Sequence, residues 1–480
     1  MHIKPYFSLG ALLIGATLAS QAQTPKYVFY FITDGTSFNA MLGTEHYLAE
    51  LQDRWGREPL CSSQFPVVGV ASTYSGNSGI TDSAASGTCL ATGTKTYNGA
   101  IGVGMDTTNV YSVAYLAHKA GFPVGVASSV CINHATPAAF YAHSKSRSRY
   151  YEIALQAPET GFDFFGGPDF TIERDKKTPE NREALYKKCE KAGYTIARGY
   201  QDYEAKAEKA KRMILCQPLE RTLNVDDNSL PYAIDAKPGE MSVYDVLKAE
   251  IDFLYHKSEQ KGHKGFFIMN EIGGKVDYAC HAHDAATAFR EICLVDSCMR
   301  LAYDFYLQHP DETLILLTSD HETGGISLGV HEGGYATNFR LLANQKCSLD
   351  ALTYAMGQLR QQTKNHVTWE QMKELLHDKL GFWGNVKISH ADEALLLECF
   401  AKNFEGRMVR EDNLYSSNEM MAVQAIKMLN SKAHIGWTSG HHTAGIVPVY
   451  ACGVGAELFC RHNDNSTFAP VIARLAGYVK

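Results

Sequence analysis

After its first 22 residues, the 480-residue sequence contains no apolar run long enough to form a transmembrane helix. It has 12 cysteines but no Cys-x-x-Cys pair and no zinc-ribbon spacing. Internal repeats and low-complexity tracts are also absent. The formal net charge of −7 is small for this length and argues against general affinity for nucleic acids or anionic membranes. These absences predict a soluble protein in which several cysteines are packed thiols rather than metal ligands.

The first 22 residues have the layout of a secretory signal peptide. Lys4 precedes an apolar stretch over residues 7–18, and Ser20 and Ala22 place small side chains at the −3 and −1 positions of a cut after Ala22. That stretch is too short to cross a bilayer, although it also fits a buried helix. We expect residues 1–22 to be removed and the mature chain to be exported, as a periplasmic or secreted protein.

Short apolar runs that end in polar residues predict the strands of the core. They span residues 27–32, 124–127, 265–269 and 313–317. Helical patterns lie between them, as in residues 285–307, where apolar side chains recur every three or four positions. Continuous apolar strands that alternate with helices predict an α/β fold with a large, mostly parallel sheet flanked by helices on both faces. Ligands bind beyond the carboxyl ends of such strands, so we expect the polar residues found there to share one crevice.

Two segments depart from this alternation. Residues 171–215 are rich in Lys and Glu and predict solvated surface helices. Residues 341–429 are helical in pattern and carry no obvious ligand. We interpret this second segment as an insertion between two core strands that serves as a lid, a crown or a subunit contact.

Residues 81–102 read TDSAASGTCLATGTKTYNGAIG and form the most informative segment. Ser83 follows Asp82 and precedes small residues, so its hydroxyl lies where a helix can begin. The unpaired N–H groups and the dipole of a helix start favour an anionic ligand, phosphate above all. The same pattern also fits an ordinary helix N-cap. Its interpretation therefore depends on the rest of the chain.

Aspartate and histidine occur close together at places that suit zinc. These are Asp277 with His281, Asp320 with His321, and the pair His441-His442. A spacing of four puts Asp277 and His281 on one face of a helix. The second pair follows a predicted strand, and the third precedes one. Each pair alone also fits a surface turn, but together they predict a zinc site.

The polar motifs of the chain occur in a definite order. They are Asp34-Gly35, Asp82-Ser83-Ala84-Ala85-Ser86-Gly87-Thr88, Lys95-Thr96-Tyr97-Asn98-Gly99-Ala100, His134-Ala135-Thr136-Pro137, Asp277-x3-His281, Asp320-His321-Glu322-Thr323-Gly324 and His442-Thr443. In content and order they resemble the active-site signatures of the metal-dependent alkaline phosphatases. The resemblance covers nearly the whole mature chain and implies a catalytic domain over residues 23–480, within which residues 341–429 form the insertion. It further implies hydrolysis of small phosphomonoesters through a phosphoserine intermediate, and a homodimer.

The resemblance also implies a centre with two zinc ions and one magnesium ion. The residues that match the first zinc site are Asp277, His281 and His442. Those that match the second zinc site are Asp34, Asp320 and His321, with the Ser83 hydroxyl as a further ligand. Those that match the magnesium site are Asp34, Thr136 and Glu271, whose oxygen atoms suit a hard cation.

The remaining matches concern the phosphate group. Ser83 matches the nucleophile, and Arg147 matches an arginine whose planar fork holds two phosphoryl oxygens at once. Asp82 would orient that arginine. Tyr278 and His134 occupy positions near the phosphate and the magnesium that vary within the family.

The chain departs from the family pattern near the magnesium ligand. Glu271 and Asp277 are six positions apart, whereas five is usual in the family. Either a bulge absorbs Ile272 and keeps Glu271 in place, which we favour, or Ile272 occupies the ligand position and impairs the site. His441 and His442 are both candidates for the zinc ligand, and the threonine after His442 favours the latter.

Related activities leave different patterns. Sulfatases need an arginine in C/S-x-P/A-x-R, and the corresponding residue after Ser83 is Gly87, which argues against a sulfatase. A phosphodiesterase side activity stays open. An inactive zinc-binding protein is expected to have lost the nucleophile, the arginine or a ligand, and all of them are present.

Overall fold

A ten-stranded sheet forms the centre of the protein, in a computed structural model that describes residues 23–172, 179–223, 229–260, 264–405 and 408–479. The predicted signal peptide, residues 1–22, lies outside the described residues. The strands are β1 (Tyr27–Ile32), β2 (Val67–Ser72), β3 (Val124–Ser128), β4 (Phe164–Gly166), β5 (Tyr194–Arg198), β6 (Arg212–Cys216), β7 (Phe266–Glu271), β8 (Thr313–Thr318), β9 (Glu322–Thr323), β10 (Arg410–Asp412), β11 (Ser417–Glu419), β12 (His442–Thr443), β13 (Val447–Gly453) and β14 (His462–Asp464). The order in the large sheet is β14-β2-β13-β8-β1-β7-β3-β4-β6-β5.

Helices fill most of the segments between strands. The α-helices are α1 (Phe38–Glu50), α2 (Ser83–Thr92), α3 (Val113–Lys119), α4 (Ala135–Ala138), α5 (Tyr150–Ala154), α6 (Pro179–Lys191), α7 (Tyr200–Lys206), α8 (Leu219–Leu223), α9 (Val243–Gln260), α10 (Gly274–His281), α11 (Ala285–Gln308), α12 (Leu349–Gln362), α13 (Trp369–Leu380), α14 (His390–Phe400), α15 (Met420–Lys432) and α16 (Phe468–Leu475). Short 3₁₀ turns and one π turn at Ala401–Glu405 complete the helical structure of the described residues.

Strand direction decides which loops meet. Strand β1 is parallel to both of its neighbours, β7 and β8, and β3 is parallel to β7. These strands therefore end at one edge of the sheet, as the sequence predicts. Strand β13 is antiparallel to β8 and β2, so it begins at the edge where the others end. The chain before β13 thus joins the loops that follow β1, β2, β7 and β8.

Both faces of the sheet are buried, which confirms the predicted layering. Along β1, Phe29 and Phe31 enter one hydrophobic core, whereas Val28 and Tyr30 enter the other, because successive side chains point to opposite faces. Helices α9 and α11 cover the first face, and α2, α3 and α16 cover the second. A strand buried on both faces needs apolar residues throughout, which is why β1 reads YVFYFI.

One secondary-structure prediction is wrong. Residues 171–215 do not form surface helices alone, because they also contribute β5 and β6, which extend the sheet beyond β4. The side chains of Met213 to Cys216 in β6 are buried in the two cores. This four-residue apolar run lies within a charged segment. The density of charged residues therefore predicts the surface helices α6 and α7 but not the strands β5 and β6.

Residues 341–429 are mostly helical, with α12, α13, α14 and most of α15. They also contain the β10–β11 hairpin, in which Arg410 pairs with Glu419 and Asp412 pairs with Ser417. The hairpin was not predicted, and its tip reaches the site described below.

Within the described residues, no helix combines the length and apolar character needed to cross a membrane. All 12 cysteines lie in this part of the chain, and none of them is in a disulfide. Of the four cysteines predicted to be packed thiols, Cys89, Cys131 and Cys452 are buried and Cys293 is partly exposed.

Candidate active site

The predicted site residues meet at the edge of the sheet where β1, β7 and β8 end. Asp34 lies two residues after β1, Glu271 ends β7, and Asp320 lies two residues after β8. His442 precedes β13 and reaches the same edge because that strand runs in the opposite direction. All four side chains are buried. The fold therefore gathers carboxylates and imidazoles from distant parts of the chain away from water.

Ser83 is the first residue of α2, and the N-cap of that helix is Asp82. Asp82 Oδ1 accepts hydrogen bonds from the backbone N–H groups of Ala85 and Gly99, each 3.0 Å long. The Ser83 side chain is buried, and its Oγ lies 3.0 Å from His321 Nε2. Asp82 therefore caps the helix, and the Ser83 hydroxyl faces the candidate metal ligands.

Gly35 allows two acidic residues to approach each other. Its φ is +70°, and a Cβ at this position would lie 2.6 Å from Asp277 Oδ1 and 2.8 Å from Asp277 Cα. Only glycine combines that backbone conformation with so close a contact. The chain can therefore turn after Asp34 directly beneath α10.

The residues predicted for the first zinc site lie together. His281 Nε2 is 3.4 Å from Asp277 Oδ1, one helical turn away in α10, as the spacing of four predicts. His442 Nε2 is 3.2 Å from His281 Nε2 and 4.0 Å from Asp277 Oδ1. The neighbouring His441 is exposed, so the structure brings His442 rather than His441 to this group. Asp277 and His442 also form a candidate metal-binding set with His321.

The residues predicted for the second zinc site form a set of their own. Asp34, Asp320 and His321 offer ligand atoms that all lie within 4.8 Å of one another. His321 Nε2 is 3.2 Å from Asp34 Oδ1 and 3.4 Å from Asp320 Oδ2. The same nitrogen lies next to Ser83 Oγ. The serine therefore faces this group directly.

A third set combines Asp34, Glu271 and His134. His134 Nδ1 lies 3.8 Å from Glu271 Oε1. Ser128 donates a hydrogen bond to Glu271 Oε2, whereas Glu271 Oε1 has no hydrogen-bond partner. Thr136, which was also predicted for this metal, donates a hydrogen bond to Asp320 Oδ2 of the second set at 3.3 Å. The structure thus adds an imidazole, that of His134, to the oxygen ligands predicted here.

The extra residue Ile272 does not displace Glu271. Strand β7 pairs with β1 and β3 without interruption, and Glu271 lies opposite Ser128 in the parallel register. The expected bulge in the strand is therefore wrong. Ile272 instead forms the turn between β7 and α10, where its side chain is buried in the hydrophobic core. Glu271 keeps its position at the strand end.

Arg147 connects the serine helix with the third set. Its Nη1 donates to Asp82 Oδ2 at 3.1 Å, which is the orienting contact that the sequence predicts. Its Nη2 lies 3.1 Å from His134 Nε2. The side chains of Arg147 and Asp82 are about one-fifth exposed, so they stand where the buried site meets solvent.

The buried carboxylates repel one another electrostatically, which favours the protonated forms of these groups. Burial raises the pKa of Asp34 well above its ordinary value, and the carboxylates of Asp320, Asp277 and Glu271 raise it further. Burial likewise raises the pKa of Asp320 to about 7, with Asp277 and Glu271 adding to the effect. Burial also acts on Asp277, but His281, His321 and His442 outweigh it and hold the pKa of that carboxyl below its usual range. Such a concentration of acidic groups needs cations.

Several contacts that support the ligands were not predicted. Thr323 Oγ1 donates to Asp277 Oδ1 at 2.5 Å. Backbone carbonyl oxygens contact the Nδ1 atoms of two imidazoles. Gly440 O lies 2.8 Å from His281 Nδ1, and Thr81 O lies 2.8 Å from His442 Nδ1. These contacts leave the Nε2 atoms facing the centre of the site. Thr323 belongs to the Asp-His-Glu-Thr-Gly motif, but carbonyl contacts leave no signal in a sequence.

Two tyrosines also reach the site. Tyr278, predicted near the phosphate, is buried in α10 and its ring stacks on that of Tyr415, with centroids 3.7 Å apart. Tyr415 lies at the tip of the β10–β11 hairpin, in the segment predicted to carry no ligand. Its ring meets His281 edge-on at 5.3 Å. Sequence reasoning missed Tyr415 because no motif in that segment distinguishes it from the other tyrosines among the 26 of the chain.

Comparison with known proteins identifies the family of this chain. A family model described as Alkaline phosphatase matches residues 25–166 and 222–478. The chain belongs to the alkaline phosphatase family. Alkaline phosphatase 3 of Bacillus subtilis is 28% identical over 462 residues, which cover 94% of this chain and 89% of that protein. Alkaline phosphatase 4 of the same organism is 28% identical over 405 residues, which cover 82% of this chain and 76% of that protein. The crystal structure of a cold-active alkaline phosphatase from Shewanella sp. has 25% sequence identity and a TM-score of 0.76, and the match covers 94% of this chain and 99% of that one.

Family and fold together establish the activity. This alkaline phosphatase is a metal-dependent hydrolase of phosphomonoesters, and the three candidate sets at the strand ends are where its metals can bind. The predicted family, fold class and enzyme class are therefore confirmed.

The raised pKa of Asp320 leads to a prediction for the metal-free protein. Its pKa rises from 3.8 to about 7 on folding, so protonated Asp320 contributes stability that is complete below about pH 4 and is lost as the pH rises through about 7. Urea unfolding in the presence of a chelator, measured from pH 4 to pH 8, will reveal this loss as a fall in the free energy of unfolding relative to Asp320→Asn, whose amide does not ionise. Parallel curves for the two proteins would refute it.

Proposed function

We propose that this phosphatase works through a phosphoserine at Ser83, with two zinc ions and a third metal held by the three sets described above. The observation that carries the proposal is the place of Ser83 Oγ, buried at the start of α2 and 3.0 Å from His321 Nε2. A hydroxyl in that position borders the candidate ligands on one side and Arg147, through Asp82, on the other.

The residues present fit the metals. Buried oxygens that lack a hydrogen-bond partner include both carboxylate oxygens of Asp34, Glu271 Oε1 and Asp277 Oδ2. Unpaired buried carboxylates are costly unless a cation satisfies them. Asp277, His281 and His442 supply the nitrogen and oxygen ligands that zinc accepts, as do Asp34, Asp320 and His321.

The third set would take magnesium or a softer ion. Asp34, Glu271 and Thr136 offer the oxygen atoms that magnesium prefers, whereas the imidazole of His134 suits zinc or another transition metal. When bound, the metals as a group lower the pKa of the Ser83 hydroxyl and stabilise charge on the attacking and leaving oxygens.

The protein's own groups position the reaction. Ser83 Oγ gives its proton to solvent and forms a bond to phosphorus while the bond from phosphorus to the ester oxygen breaks, and that oxygen takes a proton from water as the alcohol departs. The N–H groups at the start of α2 and the guanidinium of Arg147 hold the other phosphoryl oxygens. Asp82 fixes that guanidinium through its carboxylate, whose pKa Arg147 in turn holds below its usual range despite burial. Water then displaces Ser83 from phosphorus and phosphate leaves.

Trapping the intermediate tests this proposal. After acid quenching of enzyme that is turning over a phosphomonoester, mass spectrometry is expected to find phosphate on the peptide that carries Ser83. Arg147→Lys, which cannot hold two oxygens in one plane, is a useful companion because it should weaken phosphate binding and leave the modified residue the same. Phosphate on another residue, or none at any time during turnover, contradicts the proposal.

We also propose export directed by residues 1–22 and assembly as a homodimer. The first rests on the charge, apolar stretch and small residues near the cut, and the second on the family resemblance.

A further inference from the structure

The hydroxyl group of Tyr415 lies at the mouth of the active site. The oxygen is buried, yet it makes no hydrogen bond with any residue that the structure describes. A buried phenol O–H usually finds a partner, because leaving it unpaired costs free energy. This one belongs to a residue whose ring contacts the candidate metal ligand His281. We therefore expect this hydroxyl to form its hydrogen bond with a bound molecule.

The Tyr415 ring lies among the residues of the site: its centroid is 6.0 Å from that of His134 and 5.3 Å from that of His281, and it lines one cleft with Arg147 and His442. Burial raises the pKa of the Tyr415 phenol, the carboxylates of Asp277 and Asp34 raise it further, and Arg147 lowers it. His442, which lines this cleft, stacks on His321, and Ser83 Oγ lies 3.0 Å from His321 Nε2.

The hairpin holds Tyr415 rigidly. Asn413 Oδ1 accepts hydrogen bonds from the backbone N–H groups of Tyr415 and Ser416, at 2.9 and 2.8 Å. At the base of the hairpin, Glu419 receives two bonds from Arg360 at 3.1 and 3.0 Å. Stacking on Tyr278, at 3.7 Å and an interplanar angle of 17°, fixes the ring itself. A group held this way loses little conformational entropy when it binds a ligand.

A cleft opens beside this tyrosine. It has a volume of about 730 Å³ and is bordered by Arg147, Tyr150 and Glu152 on one side and by Leu414 and Tyr415 on the other. Since it leads from Arg147 to solvent, the alcohol part of a phosphomonoester would occupy it.

We propose that Tyr415 is a substrate-positioning residue whose O–H donates a hydrogen bond to an oxygen of the bound phosphoryl group. In this role the β10–β11 hairpin supplies the outer wall of the site, with Leu414 and the Tyr415 ring beside the alcohol. The inference rests on the proposed function, because it needs phosphate between Arg147 and Ser83.

Tyr415→Phe tests it most directly, because this variant removes the hydroxyl and keeps the stacked ring. We expect the inhibition constant of inorganic phosphate and the KM for nitrophenyl phosphate to rise about 10- to 100-fold, as for loss of one hydrogen bond to a charged group. The kcat and the bound metal content should stay within about threefold of the wild type. The matched control is Tyr354→Phe, the same change at an exposed tyrosine of α12, which should alter neither constant.

The outcomes separate this role from others. An unchanged phosphate inhibition constant and KM in Tyr415→Phe would overturn the proposal, as would a loss of metal content with unchanged KM, which indicates a purely structural role. Tyr415→Leu, which also removes the stacking, should weaken phosphate binding at least as much. Trapping on wild-type Ser83 is measured in parallel, so a failure of the phosphoserine mechanism appears there and not in the comparison of the tyrosine variants.

Discussion

Replacing Ser83 with alanine is expected to lower kcat for a phosphomonoester by a factor on the order of 10³ or more. The change removes the one hydroxyl that lies at the start of α2 and 3.0 Å from His321 Nε2. Asp82 remains as the N-cap, so the helix should keep its position and its N–H groups. Steady-state kinetics with nitrophenyl phosphate measure the effect, and metal analysis should find nearly the wild-type content.

Ser78→Ala is the matched control for this variant. Ser78 is exposed in the loop that leads to α2, so the same substitution should leave kcat unchanged. Near-normal turnover in Ser83→Ala would remove the serine from the mechanism. Loss of metal together with activity would instead assign to it a structural role.

Chelation is expected to abolish turnover, by a factor on the order of 10³ or more, and zinc with magnesium should restore it. The reason is electrostatic: Asp34, Asp277, Asp320 and Glu271 are all buried at one point, and Asp34 has no hydrogen-bond partner for either carboxylate oxygen. Without cations, the acidic groups repel one another and repel the phosphate dianion. Activity is measured after dialysis against a chelator and again after each metal is added.

The order of addition distinguishes the sites. Zinc alone should restore most of the activity, because the two sets proposed for zinc supply the nitrogen and oxygen ligands that it accepts, and the imidazole of His134 also suits zinc in the third. Magnesium alone should restore little. A protein whose activity is indifferent to the chelator would contradict the proposed centre, while circular dichroism before and after dialysis checks that the fold survives.

Much of the site could be predicted because many of its residues occur in short sequence patterns. Asp277 and His281 are one helical turn apart, so a helix is enough to bring them together. Asp34 and Asp320 follow strands whose parallel direction puts their ends at one edge. Each of these inferences needs only a periodicity and a rule about sheets.

Other residues could not be assigned in this way. His134 was expected near phosphate and magnesium, but its contact with Arg147 and its place beside Glu271 depend on how two loops pack. The position of Ile272 was decided by the turn before α10, because a buried strand in register with two neighbours cannot take an extra residue as easily as a turn can. Tyr415 comes from a hairpin far along the chain.

The sequence by itself determined the family, through the order of its motifs, and the strand ends at which Asp34, Glu271 and Asp320 lie, whereas the role of Ser83 as nucleophile stays a prediction. Only the tertiary structure decided that His442 rather than His441 lies with the candidate ligands, that β5 and β6 extend the sheet and that Tyr415 lines the cleft beside Arg147. Those outcomes depend on packing between segments distant in the chain, and burial selects among positions that look equivalent in the sequence.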